Sequence, residues 1–411
     1  MNMNQANPAY LTEIDAIVEI GTSFHRLGIN AYRIEASLSS LAKIKGLQGQ
    51  FFFTPTIIIA SFKTPDGEIG RHVRIEPGHI DLGRLCAVDA LAHQYAQQTL
   101  PAPELLQALE KVHKDAELYP QWARLCCFAL SSGGLSLVFA PSIPNLLASL
   151  ILGFIVGLLD WGSDHFERMR QLHEATAAFV VTMGAIILKM IFPGGDLDII
   201  ILAGLIKLLP GLSLTVALAE LSQNHLASGT ARFMGAMMTL LKLTFGIILA
   251  NRILSFLPEL TFSPLNFLNI ALPTWTLVPG LLAYSFSTAI VYKANPQDSW
   301  AVFCAGLVGA LSIKIGGQLL GADMGAFLAG LVIGALSNYC ANLFSKPVGL
   351  FQWPGILIIV PGSFGLKGLS ALFVHNYDIG FTALVTTFAV SISLVAGLFF
   401  GNLIIRPRSS V

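Results

Sequence analysis

Residues 207–215 read KLLPGLSLT, and residues 358–366 read IIVPGSFGL. Both stretches lie inside long apolar runs, and both carry a Pro-Gly pair. Proline removes a backbone donor and clashes with the carbonyl four residues earlier, while glycine tolerates the backbone that follows. Each pair therefore predicts a break in a helix. In lipid a break would leave polar backbone groups unpaired, so it must face protein or a watery cavity.

The surrounding composition sets the class. The 411 residues are 54% hydrophobic and 12% charged, against roughly 25% charged for soluble domains, and the mean hydropathy is positive. The chain reads as a polytopic α-helical membrane protein. Charge is uneven: 23 of the 48 charged residues fall in residues 1–121. Zero net charge argues against nucleic acid as a partner. The opening MNMNQANPAYLTEID lacks a basic and an apolar signal region, which predicts that the first segment stays in the cytoplasm. Cys86, Cys126, Cys127, Cys304 and Cys340 are scattered and read as small apolar fillers, so no metal or other cofactor is expected.

Residues 1–121 read as a small α+β domain with its own core. Residues 9–45 are helical with a break near Gly28, FFFTPTIIIASF (51–62) is a bent strand or two strands, and RHVRIEP alternates like a further strand. Two helices follow, from about Asp81 and from PAPE, the second with Leu105, Leu109, Val112 and Ala116 inward. Trp122 and Arg124 are placed as interface anchors.

Ten spans can then be drawn: 124–140, 143–160, 174–192, 197–218, 230–251, 272–291, 300–320, 323–344, 349–373 and 379–405. Each is near the length of about 20 residues that crosses a bilayer. Arg168, Arg170, Lys293, Lys346, Arg406 and Arg408 fall on one side, which puts both ends in the cytoplasm.

The two Pro-Gly pairs are 151 positions apart, and the same shift maps Leu221, Gly229, Gly246 and Asn251 onto Leu372, Gly380, Gly397 and Asn402. This reads as an internal duplication: a first unit at 122–255 and a second at 256–411, each of five spans. Five is odd, so the second copy starts on the opposite side, giving a 5+5 inverted repeat. Such repeats are typical of secondary transporters, with sites near the midplane at broken helices. Here those are the fourth and ninth spans. A third pair, in LVPGLL (277–282), has no repeat partner and reads as a kink.

A broken helix offers backbone amides at a positive dipole end, suited to a carboxylate. The candidate substrate site is Lys207, Pro210, Gly211, Ser213 and Thr215 at one break, with Pro361, Gly362, Ser363 and Lys367 at the other. Lys207 and Lys367 are the candidates for neutralising an anion; Lys189, Lys242 and Lys314 are the other lysines within spans. Asp160 and Glu220 near inner ends, and Asp196 and Asp198 near outer ends, are candidates for carrying protons. Helix capping competes for Asp196, Asp323 and Asp378. Gly153/Gly157 and Gly330/Gly334 read as helix packing.

The blocks GINAYRIEASLSSLAKIKG, FFFTPTIIIASF, RIEPGHIDLGRLCAVDAL, LLPGLSLTVALAELSQNHLASGTARF and IVPGSFGLKGLSALFVHNYDIG resemble, in this order, the threonine/serine exporter family. The first three are similar to its cytoplasmic domain, the fourth to its five-span unit, and the last to a smaller partner unit that some bacteria make separately. The resemblance covers nearly the whole chain. It implies a multi-pass protein of the bacterial inner membrane that exports small hydrophilic metabolites, driven by protons, with threonine and serine as namesake substrates. Two-subunit relatives are linked to dicarboxylates, notably succinate. One departure is Lys367, where the family often carries another polar or basic residue near a tyrosine. A membrane-bound hydrolase lacks any GxSxG or HExxH framework here, and a channel has no need of two repeat-related breaks. The soluble segment carries no readable site; regulation, formation of a homo-oligomer and stabilisation of the inner side are the roles open to it.

Overall fold

The computed structural model describes residues 8–65, 67–76, 78–256, 270–359 and 361–408. Seven elements precede the apolar half. Helix α1 (Pro8–Arg26) ends where Gly28 takes a left-handed φ of 89°, and α2 (Ala31–Ile44) follows. Strands β1 (Gln48–Thr54), β2 (Ile57–Thr64) and β3 (Gly67–Arg74) form an antiparallel meander. The proline between the two apolar runs sits in the β1–β2 turn, where Thr54 Oγ1 accepts from the Ile57 amide at 3.2 Å. Alternation on β2 buries Ile58, Ala60 and Phe62 against α1 and α2. Helices α3 (Leu82–Ala96) and α4 (Ala102–Lys114) close the layer; Asp81 caps α3 through the Arg84 amide at 2.8 Å. Ala116, expected on the inner face of α4, lies past the helix end and is exposed.

This core is not closed off. It runs on through Ala289, Val302, Val348, Phe351 and Trp353 of the apolar half. The Leu82 amide donates to the Tyr292 carbonyl at 2.9 Å, and Tyr119 Oη to the Ala294 carbonyl at 2.7 Å. The first seven elements are thus docked on the second half of the chain.

The apolar half comprises α5 (Gln121–Phe139), α6 (Ile143–His165), α7 (Glu167–Ile191), α8 (Leu197–Gly204), α9 (Gly211–Ser222), α10 (Leu226–Leu254), α11 (Leu277–Val291), α12 (Ser299–Leu320), α13 (Ala322–Phe344), α14 (Val348–Ile359), α15 (Pro361–Phe373) and α16 (Tyr377–Ile404). Among the described residues nine helical segments are long and apolar enough to cross a membrane, with α14 and α15 together counted as one. A bent pair, Leu197–Gly204 and Ile206–Ser222, makes a tenth at an angle of 53°. The chain is a polytopic helical membrane protein. Of the connection between the fifth and sixth drawn spans, residues 257–269 lie outside the described residues.

One packing plan serves both halves. Helix α7 packs on α10 as α13 packs on α16, α9 on α10 as α15 on α16, and α6 on α8 as α12 on α14. The halves cross reciprocally, α10 against α15 and α16 against α9. The backbone repeats in detail. Asn224 and His375, 151 positions apart, take φ of 62° and 63°. The amides of His225 and Asn376 reach back to the carbonyls of Glu220 and Ala371 at 3.0 and 2.9 Å. Gly229 lies against Leu221 as Gly380 lies against Leu372. A side chain at Gly246 or Gly397 would collide with backbone of the neighbouring helix, α7 or α13.

The small-residue pairs pack as expected, Gly153/Gly157 on α5 and Gly330/Gly334 on α16. LVPGLL differs from its reading. Pro279 falls in the first turn of α11, where the missing amide costs no helical hydrogen bond, and Gly280 lies against Gly134 of α5. It starts a helix rather than kinking one. A pair the sequence reading passed over, Pro354-Gly355, sits inside α14.

Only the first Pro-Gly pair is shown as a break; Val348–Phe373 counts as one span, and residue 360, before the second pair, lies outside the described residues. The two Pro-Gly pairs lie against each other. A Cβ built on Gly362 would lie 3.2 Å from the Gly211 amide nitrogen and 3.5 Å from its Cα. Gly362→Leu is expected to force the pairs apart and cost roughly 1–3 kcal/mol by overpacking. Gly235→Ala, which faces open space, serves as the neutral control. Thermal unfolding of the purified protein checks both.

Candidate functional site

The first break is built locally. Helix α8 gives way to a 3-10 turn at Ile206–Leu208, and Pro210 takes φ −80° and ψ 40°. The Gly211 amide turns back to the Leu209 carbonyl at 2.9 Å, an inverse γ-like turn. Helix α9 starts there. Its first-turn amides have no acceptor within the helix.

A cavity of about 980 Å³ opens beside this break. Lys207, Pro210 and Ser213 form its inner wall, with Tyr292 of α11 and Leu357 of α14. Towards the first seven elements it is lined by His79, Glu117, Arg124, Asp160 and His173. Ser213 is exposed to it. Thr215 is 1% exposed, and its hydroxyl is spent on the Gly211 carbonyl at 3.0 Å.

The charges of the cavity wall are sorted. Glu117 is held by Lys293 at 2.5 Å and Arg124 at 3.0 Å. Burial alone would raise its carboxyl; Lys293 and Arg124 overcome that and hold it below the usual carboxylate range. Asp160 lies 3.6 Å from Arg124 and 3.7 Å from His173. Asp164 lies 3.9 Å from Arg124, and Glu174 lies 3.4 Å from Lys242. Lys207 is different. Among the described residues no carboxylate pairs with it. Its ammonium donates to Thr288 Oγ1 at 3.2 Å and sits 4.8 and 5.1 Å from the ring centroids of Tyr284 and Tyr292. Ring faces hold a cation without neutralising it. A lysine amine without a carboxylate partner among the described residues thus faces the same cavity as the start of α9.

The second Pro-Gly pair presents different chemistry. Pro361 and Gly362 are buried, Ser363 is half-buried, and Lys367 is exposed on α15 with no ion pair among the described residues. The structure brings Gly211 and Gly362 together but leaves Lys207 and Lys367 in different surroundings. Residue 358, which the repeat places opposite Lys207, is isoleucine.

The expected proton carriers also part company. Asp160 lines the cavity. Asp196 caps α8, accepting from the amides of Asp198 and Ile199 at 3.0 and 3.3 Å, and Asp198 is exposed in the same turn. Asp323 and Asp378 lie in first turns. Glu220 is fully buried and saturated. It accepts from the Ala31 amide at 2.9 Å, Ser228 Oγ at 2.8 Å, and the Arg232 guanidinium at 3.2 and 3.3 Å. It ties α2 to the end of α9, and Glu35 with His225 at 3.6 Å adds to the tie. Arg124, expected as an interface anchor, turns inward to its acids, while Trp122 is 70% exposed.

Sequence reading missed Tyr284, Thr288 and Tyr292. Their spacing of four along an apolar helix puts them on one face, and that is the signal that could have found them. His173 and Asp164 carry no comparable signal.

A family model for threonine/serine exporters matches residues 15–254, and a second one matches residues 297–404. The chain belongs to the threonine/serine exporter family. It is 23% identical to pheromone-regulated membrane protein 10 of Zygosaccharomyces rouxii, with 92% of this chain and 42% of that protein covered. It is 24% identical to the protein of the same name from Saccharomyces cerevisiae strain YJM789, with 92% and 52% covered. The chain therefore spans about half the length of these curated relatives. An uncharacterised protein of Schizosaccharomyces pombe is 23% identical, with 83% of this chain and 46% of that protein covered. No solved structure gives a significant match.

Two measurements check this geometry. With the native cysteines replaced, Ser213→Cys is expected to react with a small water-soluble thiol reagent and Thr215→Cys to resist it; equal labelling would contradict the cavity. Glu220→Ala strands the Arg232 charge, and unfolding should come easier by roughly 3–5 kcal/mol.

Proposed function

We propose that the chain is a secondary active exporter of small carboxylate metabolites of the threonine and serine type. The substrate carboxylate meets Lys207 and the first turn of α9. The observation that supports this is the Lys207 amine on the cavity wall beside the break, with no carboxylate partner among the described residues. An arriving carboxylate would favour its protonated form and pair with it. Ser213 adds a hydroxyl for a polar side chain, and the Tyr292 ring face suits a substrate ammonium. One unpaired cation fits one carboxylate, which favours an amino acid over the dicarboxylate alternative.

The rest of the reading follows from this. The units are 1–121, 122–255 and 256–411, with the last two as an inverted repeat. Five crossings in each unit would turn the second copy over, and the shared packing plan supports the duplication. Rocking of one unit against the other around the touching glycines would expose the site to alternate sides. Export runs as antiport with protons, and Asp160 is the acid of the cavity placed to exchange them. Both ends lie in the cytoplasm, as the Lys and Arg distribution favours. The bacterial inner membrane rests on the family resemblance alone, since the relatives above are fungal.

Counterflow in proteoliposomes with labelled threonine, serine and succinate tests the reading. Threonine or serine exchange is expected to exceed succinate exchange. Lys207→Met should lower it at least about tenfold, as loss of a desolvated charge pair does. Lys367→Met should change it by less than about twofold, as for an exposed side chain. Exchange of none of the three, with or without a pH gradient, would refute the exporter.

A further inference from the structure

A second cavity, of about 300 Å³, lies on another face of the molecule. It sits in the joint between α2, α3, the start of α14 and the C-terminal tail. Its volume is at the lower end for small-molecule sites. It shares no lining residue with the Lys207 cavity.

Its polar groups come from separate parts of the chain. Lys346 is engaged by Asp298 at 3.1 Å and Arg408 by Asp89 at 3.2 Å. Arg33 has no acid partner among the described residues, and its guanidinium makes no hydrogen bond with them. Gln352 is only 8% exposed, and its amide, with no hydrogen-bond partner among the described residues, opens to the cavity rather than being sealed from it. Its donors are therefore available to whatever enters. Asn402 accepts from Asn338 at 2.8 Å, leaving its own NH₂ available. The wall is held in shape. Asn338 and Asn342 donate to the carbonyls of Ile405 and Arg406 at 2.8 and 3.1 Å, fixing the tail that carries Arg408.

We propose that this cavity is a second binding site, for a small organic carboxylate held by Arg33, Gln352 and Asn402. A guanidinium and two amide NH₂ groups are donors, and a planar carboxylate accepts from all three. Arg33 is on α2 and Gln352 on α14, so a bound carboxylate bridges the first seven elements to α14, which packs against α9. Helix α2 is also tied to α9 through Glu220. Occupancy of the joint therefore touches two neighbours of the bent span without using a residue of the Lys207 cavity, which suits a regulatory site. The assignment stands apart from the transport reading, because it uses none of the Lys207 residues.

The test is equilibrium binding of radiolabelled threonine and succinate to the full chain in lipid nanodiscs, with Lys207→Met present to remove the first site. Saturable binding of at least one of the two is expected to persist. Adding Arg33→Gln or Gln352→Leu, on two different helices, should each weaken it roughly tenfold, the loss of a charged or buried hydrogen bond. Absence of binding in Lys207→Met protein, or binding unchanged by both further substitutions, would overturn the proposal. Displacement by inorganic phosphate at equal concentration would overturn the assignment to a carboxylate. Transport failure without loss of this binding would count against the exporter reading and not against the site.

Discussion

A helix cannot be interrupted in hydrocarbon unless the freed backbone groups find partners or water. The apolar half is arranged around that constraint. The break before α9 lies in the one bent span, and Gly211 and Gly362 lie against each other. Larger residues at these places would hold the half-helices apart. The close approach lets α9 reach α16 and α15 reach α10, which is how the two units engage.

Backbone equivalence does not carry over to the side chains. The repeat keeps the left-handed residues before α10 and α16, the returns of the chain and the glycine contacts. It does not keep Lys207, whose counterpart is Ile358, or Glu220, whose counterpart is Ala371. The first Pro-Gly pair is beside a lysine, at a bend and open to a cavity. The second is apolar, with Pro354 inside the helix before it. Only the first is polar, and the neighbouring face of α11 supplies the rings and hydroxyl around its lysine.

The N-terminal elements belong to the same physical system. Glu220 is too deeply buried to remain without partners, and one of its donors is the first amide of α2, 189 residues away. Burial also raises the Glu35 carboxyl, which bonds the Phe53 amide and faces His225 in the α9–α10 turn. Helix α2 and the end of α9 are thus held together, while the core of the first elements separately continues into α11–α14.

The amino-acid sequence alone determined the membrane class, the strand and helix pattern of the first segment, the apolar spans and the place of the first break. These rest on local physics: hydropathy over a span, alternation along a strand, and what proline and glycine do to the backbone next to them. The family was legible for the same reason, since its signature lies along those local blocks. Only the tertiary structure decided that Lys207 faces a cavity while Lys367 does not, that Glu220 is a tie and Asp196 a cap, and that Arg124 and His173 meet Asp160. The worth of a buried charge depends on what stands within about 4 Å of it. Those neighbours come from helices far apart in the chain, where spacing along the sequence carries no record of them.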